Sequence, residues 1–397
     1  MNFTANDSVS DVLIVGGGPV GATLALALAQ GAQGGEPLAV TVLEAQSNFS
    51  APRDARTLAL SHGSRLILER IGIWQKLAEP TPITRIHISQ RGDFGRAMLS
   101  AEEAGMPALG YVINYADLQQ ALHEALSRAA IRYLTGATVE EVHPDASAPS
   151  VVFAHEDARQ TLHGRVLALA DGGRSLGGLS GVKRDSRDYG QCAVVCQVQT
   201  ELPHHNLAYE RFTSQGPAAL LPFRDRYALV WTASPQQVEA MLGWDDATFL
   251  EQLHAHFGDR QGRFLWAGKR ASFPLALKTS TPVTLPHTVL IGNAAQTLHP
   301  VAGQGFNIGL RDAWELAQGI LSVPREQIGS QTMLAAYASG RRIDTGGGIF
   351  FTDLLVRGFS NDLPLLREAR AAALSALDLL PPLKNFVVRR MIFGAKG

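Results

Sequence analysis

Cysteine is almost missing from the chain: there are two in 397 residues, Cys192 and Cys196. That is too few for a disulfide scaffold, and neither has the neighbours of a metal site. The pair reads as small core residues of a chain kept in a reducing compartment, and no metal is expected. Long apolar runs are missing as well. No stretch reaches about 18 uncharged apolar residues, so none is expected to span a bilayer. Residues 1–10 are polar and lack the basic flank and apolar centre of a secretory leader. Nor is there an excess of one charge: Lys plus Arg number 35 against 36 for Asp plus Glu, a formal net charge of −1. That balance gives no general attraction for nucleic acid. There is no internal repeat. These absences point to a cytoplasmic chain, compatible with a peripheral seat on the inner face of the plasma membrane, and long enough for two or three domains.

What the chain does have is glycine where a nucleotide fold needs it. Asp11-Val12-Leu13-Ile14-Val15 predicts a buried parallel strand, and a helix of good helix formers continues through Ala29. Between them Gly16, Gly18 and Gly21 stand in G-x-G-x-x-G spacing. The first permits the tight turn, the second lets the backbone approach a pyrophosphate, and the third lets the helix pack on the strand. The free N–H groups of the first helical turn then face the phosphates. A second strand, Leu38 to Leu43, ends in Glu44, placed to accept a hydrogen bond from an adenosine ribose. Dinucleotide binding follows.

Further along, helices are expected over 64–71 and 115–126; in the second, Leu118, Leu122, Ala125 and Leu126 share a face. A strand is expected over 84–89, with residues 98–109 as a connection back to the first domain. Val166 to Ala170 runs into Asp171-Gly172, and Thr288 to Ile291 into Gly292-Asn293. Three strand ends therefore carry turns able to converge on one extended ligand. Between them, residues 189–271 change to short strand-like pieces around a helical stretch over 235–257, which reads as a second domain with an antiparallel sheet. Helices are expected from Gly305 to Ala317 and over 331–343. In the tail that follows, Arg389, Arg390 and Lys396 lie among apolar residues. The expected class is α/β. A discontinuous Rossmann-like domain comprises 1–75, 105–188 and 285–350; a substrate domain comprises 76–104 and 189–284; a helical C-terminal region covers 351–397.

The most distinctive stretch runs from Gly292 to Asp312. Pro300 and the closely spaced Gly303 and Gly305 make a backbone corner there, and the helix that starts at it turns its N–H groups forward. Such donors favour a flavin pyrimidine edge as it becomes an anion. This stretch, with Arg56 to Ser61, Tyr209-Glu210-Arg211-Phe212-Thr213, Gly216-Pro217 and Ala267 to Arg270, resembles the class A flavoprotein aromatic hydroxylases, whose fold is para-hydroxybenzoate hydroxylase-like. Within them it is most similar to the ubiquinone-biosynthesis enzymes that hydroxylate a 2-polyprenyl-6-methoxyphenol.

The resemblance implies an FAD-binding Rossmann-like domain with an inserted antiparallel-sheet substrate domain. It implies FAD held by Gly16, Gly18, Gly21 and Glu44 at the ADP half, with Arg56 beside the flavin, Gln120 reaching it from its helix, and Asp171 as the acid of an Asp-Gly motif. Ser175 fits that motif's serine, but Gly178 stands where an arginine is usual. Asn293 stands where the wider family has an aspartate for the ribitol; the ubiquinone subgroup shares the difference. Pro300, Gly303, Gly305 and Asn307 would shape the flavin's face and pyrimidine end, and His299 reads as structural. NAD(P)H would serve as a transient reductant and dioxygen as oxidant, through a flavin C4a-hydroperoxide. The implied partners are a polyprenylated aromatic substrate, a membrane surface met through the basic tail, and a ubiquinone-biosynthesis protein complex. Hydroxylation of another ring position or of a small aromatic is the alternative. A non-oxygenating flavoprotein reductase and an FAD-containing assembly subunit are the further ones. No residue stands out as a catalytic base.

Overall fold

The computed structural model describes residues 9–31, 36–47, 56–92, 95–144, 148–213, 215–299, 303–359 and 364–396. Strand β1 (Ser10–Val15) is buried along its whole length, and helix α1 (Pro19–Gly31) leaves it through the glycine turn. Proline suits the first helical turn, where its missing N–H is no loss. β1 sits between β2 (Val40–Glu44) and β11 (Ala158–Leu169), parallel to both. The sheet extends in parallel through β8 (Arg132–Thr135) on one side and β19 (Thr288–Leu290) on the other. All four interior strand ends thus open on one edge. Fully apolar strands are what a parallel sheet covered on both faces requires. α1 and α6 (Gln304–Leu321) cover one face. On the other, β9 (Thr138–His143) and β10 (Ser150–His155) fold back on β11 as an antiparallel meander. The short β18 (Thr284–Leu285) pairs with β19.

A small sheet of β3 (Thr57–Ser61), β7 (Gly110–Asn114) and β4 (Thr81–Ile83) bridges the first sheet to the second. Helix α2 (His62–Arg70) follows β3, with the Ser61 side chain accepting from the Ser64 N–H as its cap. Helix α3 (Tyr115–Arg128) follows β7, capped by Asn114. Both caps satisfy first-turn N–H groups that have no partner within the helix.

The nine-stranded second sheet is built on β12 (Lys183–Thr200), β13 (Leu207–Thr213), β14 (Gly216–Phe223), β15 (Arg226–Ala233) and β17 (Ala271–Thr281), with β16 (Phe264–Ala267) and β20 (Gln296–Thr297) at its margins. β5 (Arg85–Gln90) joins β13 in parallel, and β6 (Arg96–Ser100) closes the edge antiparallel to β5. Residues 98–100 therefore belong to a strand rather than to a returning connection. Met98 and Ser100 stand on one face and Ala97 and Leu99 on the other, an alternation that five residues barely display. Helices α4 (Pro235–Gly243) and α5 (Asp246–Phe257) cover the outer face; α4 starts in a capping box of Ser234 and Gln237.

Helix α7 (Gln331–Phe359) runs 29 residues, far beyond the expected end at residue 343. α8 (Pro364–Leu379) and α9 (Pro381–Phe393) complete the chain. α9 is packed on the body: Val388 and Ile392 join Leu99, Ala101 and Leu109 in one buried cluster, and Arg390 donates to the Ile343 carbonyl at 3.0 Å. Among the described residues no single helix is long and apolar enough to cross a membrane.

Candidate active site

The glycine turn is shaped by close approaches. Gly16 has φ of +102°, and a Cβ there would lie 2.8 Å from the Ala170 carbonyl. At Gly21 a Cβ would lie 2.0 Å from the Gly16 oxygen, so α1 can rest on the strand end only without one. A Cβ at Gly18, in contrast, meets nothing within 4 Å. Glu44 closes the turn: its Oε2 accepts from the Gly17 N–H at 2.7 Å and its Oε1 from Gln46 at 2.8 Å. Each carboxylate oxygen keeps a lone pair for a ligand hydroxyl.

From this turn a cavity of about 800 Å³ extends past the ends of β1, β2, β11 and β19 to the inner face of the second sheet. Of the residues expected to hold the cofactor, Gly16, Gly18, Glu44, Arg56, Asp171, Asn293, Gly303 and Gly305 line it. Asp171 is fixed by its own turn, its Oδ1 accepting from Gly173 N and its Oδ2 from Ser175 N and Oγ. Where Gly178 replaces the usual arginine, Arg184 of β12 donates to the Gly173 carbonyl at 3.3 Å, and Arg174 lines the cavity. The Arg56 guanidinium lies 5.2 Å from the Tyr115 ring centre and 5.3 Å from that of Phe273, close enough for cation–π attraction to both.

Gly21 and Asn307 act behind the wall. Asn307 Oδ1 accepts from the Ser61 N–H at 2.8 Å, and its Nδ2 donates to the Ala59 and Gly303 carbonyls at 3.1 and 2.6 Å. It ties the Gly303 corner to β3. Gln120 is exposed and donates to Glu124 at 3.1 Å; the cavity is lined instead by Gln119. One residue along a helix turns the side chain by about 100°, which carries the expected contact from Gln120 to its neighbour. Pro300 lies outside the described residues. His299 is buried edge-on against Tyr189, and burial pulls its pKa down to about 4. A neutral, enclosed imidazole fits the structural role.

Two wall residues carry no role in the sequence reading. Met391 of α9 lines the cavity, and the Met391 and Ile392 carbonyls accept from Gln304 at 3.4 Å and Ser61 at 3.1 Å. The other is Glu210. Register places Glu210 beside Ile88 and Ala219, with Ala208, Leu221 and Val230 on the same inner face. A carboxylate in an otherwise apolar strand face is the signal that could have found it.

Behind the Gly292 turn lies a buried charge network. Asp312 Oδ2 accepts from the Gly292 N–H at 3.0 Å and from Gln296 at 2.7 Å. Arg341 bridges Asp312 and Asp344, each at 2.7 Å, and Arg311 adds a second contact to Asp344 at 2.8 Å. Burial raises Asp344, but Arg311 and Arg341 outweigh it and hold the carboxyl below its usual range. Its Oδ1 accepts from Ala395, so the network joins the cofactor turn to the chain's end.

FAD fits this donor set. An open Gly18 backbone, a ribose-facing acid and a helix N-terminus at the Gly303 corner stand along one cavity of sufficient length. The site and fold together define an FAD-binding protein of two-sheet α/β architecture. A family profile described as an FAD binding domain matches residues 9–344, and the chain belongs to that family of FAD-dependent aromatic hydroxylases. It is 34% identical over 389 residues to the ubiquinone hydroxylase UbiL of Rhodospirillum rubrum, covering 96% of this chain and 89% of that one. Against the 3-demethoxyubiquinol 3-hydroxylase of Escherichia coli the identity is 30% over 398 residues, with 95% and 96% covered. The p-nitrophenol 4-monooxygenase PnpA of Pseudomonas putida shares the fold, with a TM-score of 0.75 at 17% identity over 98% of this chain and 99% of that one. The chain is a flavin monooxygenase related to ubiquinone ring hydroxylases. Bound FAD, reduced by NAD(P)H, supplies oxygen activation.

Proposed function

We propose that the chain hydroxylates the aromatic ring of a ubiquinone precursor, a polyprenylated methoxyphenol, in ubiquinone biosynthesis. The observation that carries this reading is the shape of the cavity's second half. There the inner face of the antiparallel sheet offers Ile86, Ala208, Ala219, Leu221 and Val230 around the single carboxylate of Glu210. Small residues on this face leave room for a substituted ring, and the apolar surface suits a prenyl chain. In this reading Glu210 accepts a hydrogen bond from the phenol O–H and orients the ring. Gly16, Gly18, Glu44, Arg56, Gln119, Asp171, Asn293, Gly303 and Gly305 hold FAD, with Gly21 and Asn307 setting the backbone they stand on. The names of the relatives support a ubiquinone-ring substrate, while the ring position is our assignment.

The test is product analysis. The FAD-loaded protein is incubated with NADH or NADPH, dioxygen and a short-chain 2-prenyl-6-methoxyphenol. The expected product is hydroxylated para to the phenol oxygen and carries one oxygen from labelled dioxygen. An ortho or meta product keeps the enzyme class and moves the ring position. Label arriving only from water ends the proposal. Glu210→Gln should retain FAD and lose about ten- to hundredfold in affinity for the phenol, with little change for its methyl ether, as expected for a lost hydrogen bond to a charged acceptor.

A further inference from the structure

The outer face of the second sheet carries an arginine cluster that this chemistry does not use. Alternation puts Tyr209 and Arg211 opposite to Ala208 and Glu210, away from the cavity. Across β6, β5 and β13 the register sets Arg96, Ser89 and Arg211 side by side, with Met98, His87 and Tyr209 one step along the same face. Arg91 follows directly on β5, its N–H bonded to the Phe212 carbonyl at 2.9 Å. From the turn after α5, Arg260 reaches over and donates to His87 Nε2 at 2.9 Å. Arg211 donates to the Phe257 carbonyl at 3.2 Å, and its Nε has no partner among the described residues. His256 of α5 is 4% exposed, with Nε2 likewise unpartnered.

Among the described residues, the charges acting on this cluster are all of one sign. Those acting on His87 are Arg260, Arg96 and Arg211; those on His256 are Arg91 and Arg211; those on Arg211 are Arg260 and Arg91. No carboxylate among the described residues belongs to that set. Burial, then the arginines, keeps both histidines neutral and lowers Arg211. Because Arg260 occupies the Nε2 acceptor of His87, the remaining His87 nitrogen carries its proton and donates to the residue's own carbonyl. The floor thus offers the Ser89 hydroxyl, and the rim offers guanidinium forks. Four gathered guanidinium groups repel one another where, as among the described residues, no carboxylate acts on them, and a ligand bringing two or more negative charges relieves that. Planar forks match phosphoryl oxygens in pairs.

We propose that this cluster is a binding site for a phosphoryl group, separated from the catalytic cavity by the thickness of the sheet. The ligand chemistry is a phosphate or diphosphate, carried either by a soluble molecule or by a lipid headgroup. The site does not depend on the substrate proposed above.

The experiment uses the FAD-loaded protein. Calorimetric titration with sodium diphosphate, against sodium chloride of equal ionic strength, should show saturable binding and a raised melting temperature. Arg96→Gln and Arg260→Gln, both at exposed positions, should each weaken binding about tenfold while leaving FAD content and turnover unchanged. Cosedimentation with phosphatidylglycerol vesicles, compared with phosphatidylcholine, separates the sources. Vesicle binding displaced by diphosphate and lost in the variants assigns a headgroup; diphosphate binding without vesicle binding assigns a soluble ligand. If neither probe binds, or if the Arg96→Gln/Arg260→Gln double variant binds as the parent does, the proposal is overturned.

Discussion

Two glycines three residues apart answer to different demands. Gly18 faces open space, so Gly18→Asp should leave the fold intact while placing bulk and negative charge where a pyrophosphate needs the backbone. FAD affinity, titrated on the folded variant, should fall, and equal affinity would remove Gly18 from the site. Gly21→Ala acts on the fold instead: its Cβ would sit 2.0 Å from a carbonyl, and forcing the helix off the strand should cost about 1–3 kcal/mol, read as a lowered denaturation midpoint. Asn293 lines the cavity uncharged. Asn293→Asp should retain FAD and shift its midpoint potential down, on the order of 30 mV, because a nearby negative charge opposes the anionic reduced state. An unchanged potential in a dye-coupled titration would mean that the side chain faces elsewhere. At this scale the sequence was legible wherever a motif fixes the backbone, as from Gly16 to Gly21. It was less so where a side chain's direction decides: the helix was recognised, yet Gln119 rather than Gln120 meets the cavity.

Among the elements, α7 shows why a helix end can be misread. Gly346, Gly347 and Gly348 look like a terminator, but two of them make room for neighbours. A Cβ at Gly347 would lie 2.3 Å from the Arg390 guanidinium, and one at Gly348 would lie 2.6 Å from Ile308. Glycine there serves packing between α7, α9 and α6, a reason that no local window contains. The buried parallel strands were legible because a sheet covered on both faces writes itself as uninterrupted apolar residues. The outer arginines were not, since Arg96, Arg211 and Arg260 come together only through register. The C-terminal helix gives the same lesson: its sequence is compatible with a membrane surface or with packing on the body, and only the fold shows that Met391 walls the cavity and Asp344 holds Ala395. Arg341 is the joint of that arrangement. Arg341→Gln leaves the Asp312 and Asp344 carboxylates buried without their shared counter-charge, an expected loss of about 3–5 kcal/mol. Because Asp312 also holds the Gly292 N–H, FAD should dissociate faster from the variant. A melting temperature within a degree or two of the parent's would show the network to be dispensable.

For the molecule as a whole, four buried histidines predict how it meets acid. His62 opens α2, His87 lies in the second sheet, His256 under α5 and His299 at the cofactor corner, each at most 7% exposed. Burial depresses all four, to about 4 for His87 and His299 and about 3 for His256, with arginines adding to the effect at His62, His87 and His256. An unfolded histidine takes its proton near pH 6.5. Below that the unfolded chain binds protons that the native chain refuses, so stability is complete above about pH 6.5 and falls as pH drops toward 4. Each histidine contributes a slope of at most about 1.4 kcal/mol per pH unit, and the four together at most about 5.5. The paired carboxylates Asp11 and Asp344, both held below the usual range, pull in the same direction only once the pH passes below about 3.8. Between 6.5 and 4 the histidines pull the stability down, and Asp312, whose carboxyl burial raises above its usual range, works against them. Urea midpoints of the FAD-loaded protein at pH 7.5, 6.0 and 5.0 should descend in that order, with the steepest step between 6.0 and 5.0. His256→Phe, which keeps a ring against Trp231, should flatten that descent without changing its position. Midpoints that stay level from 7.5 to 5.0 would mean that these imidazoles are protonated, and paired, in the folded chain.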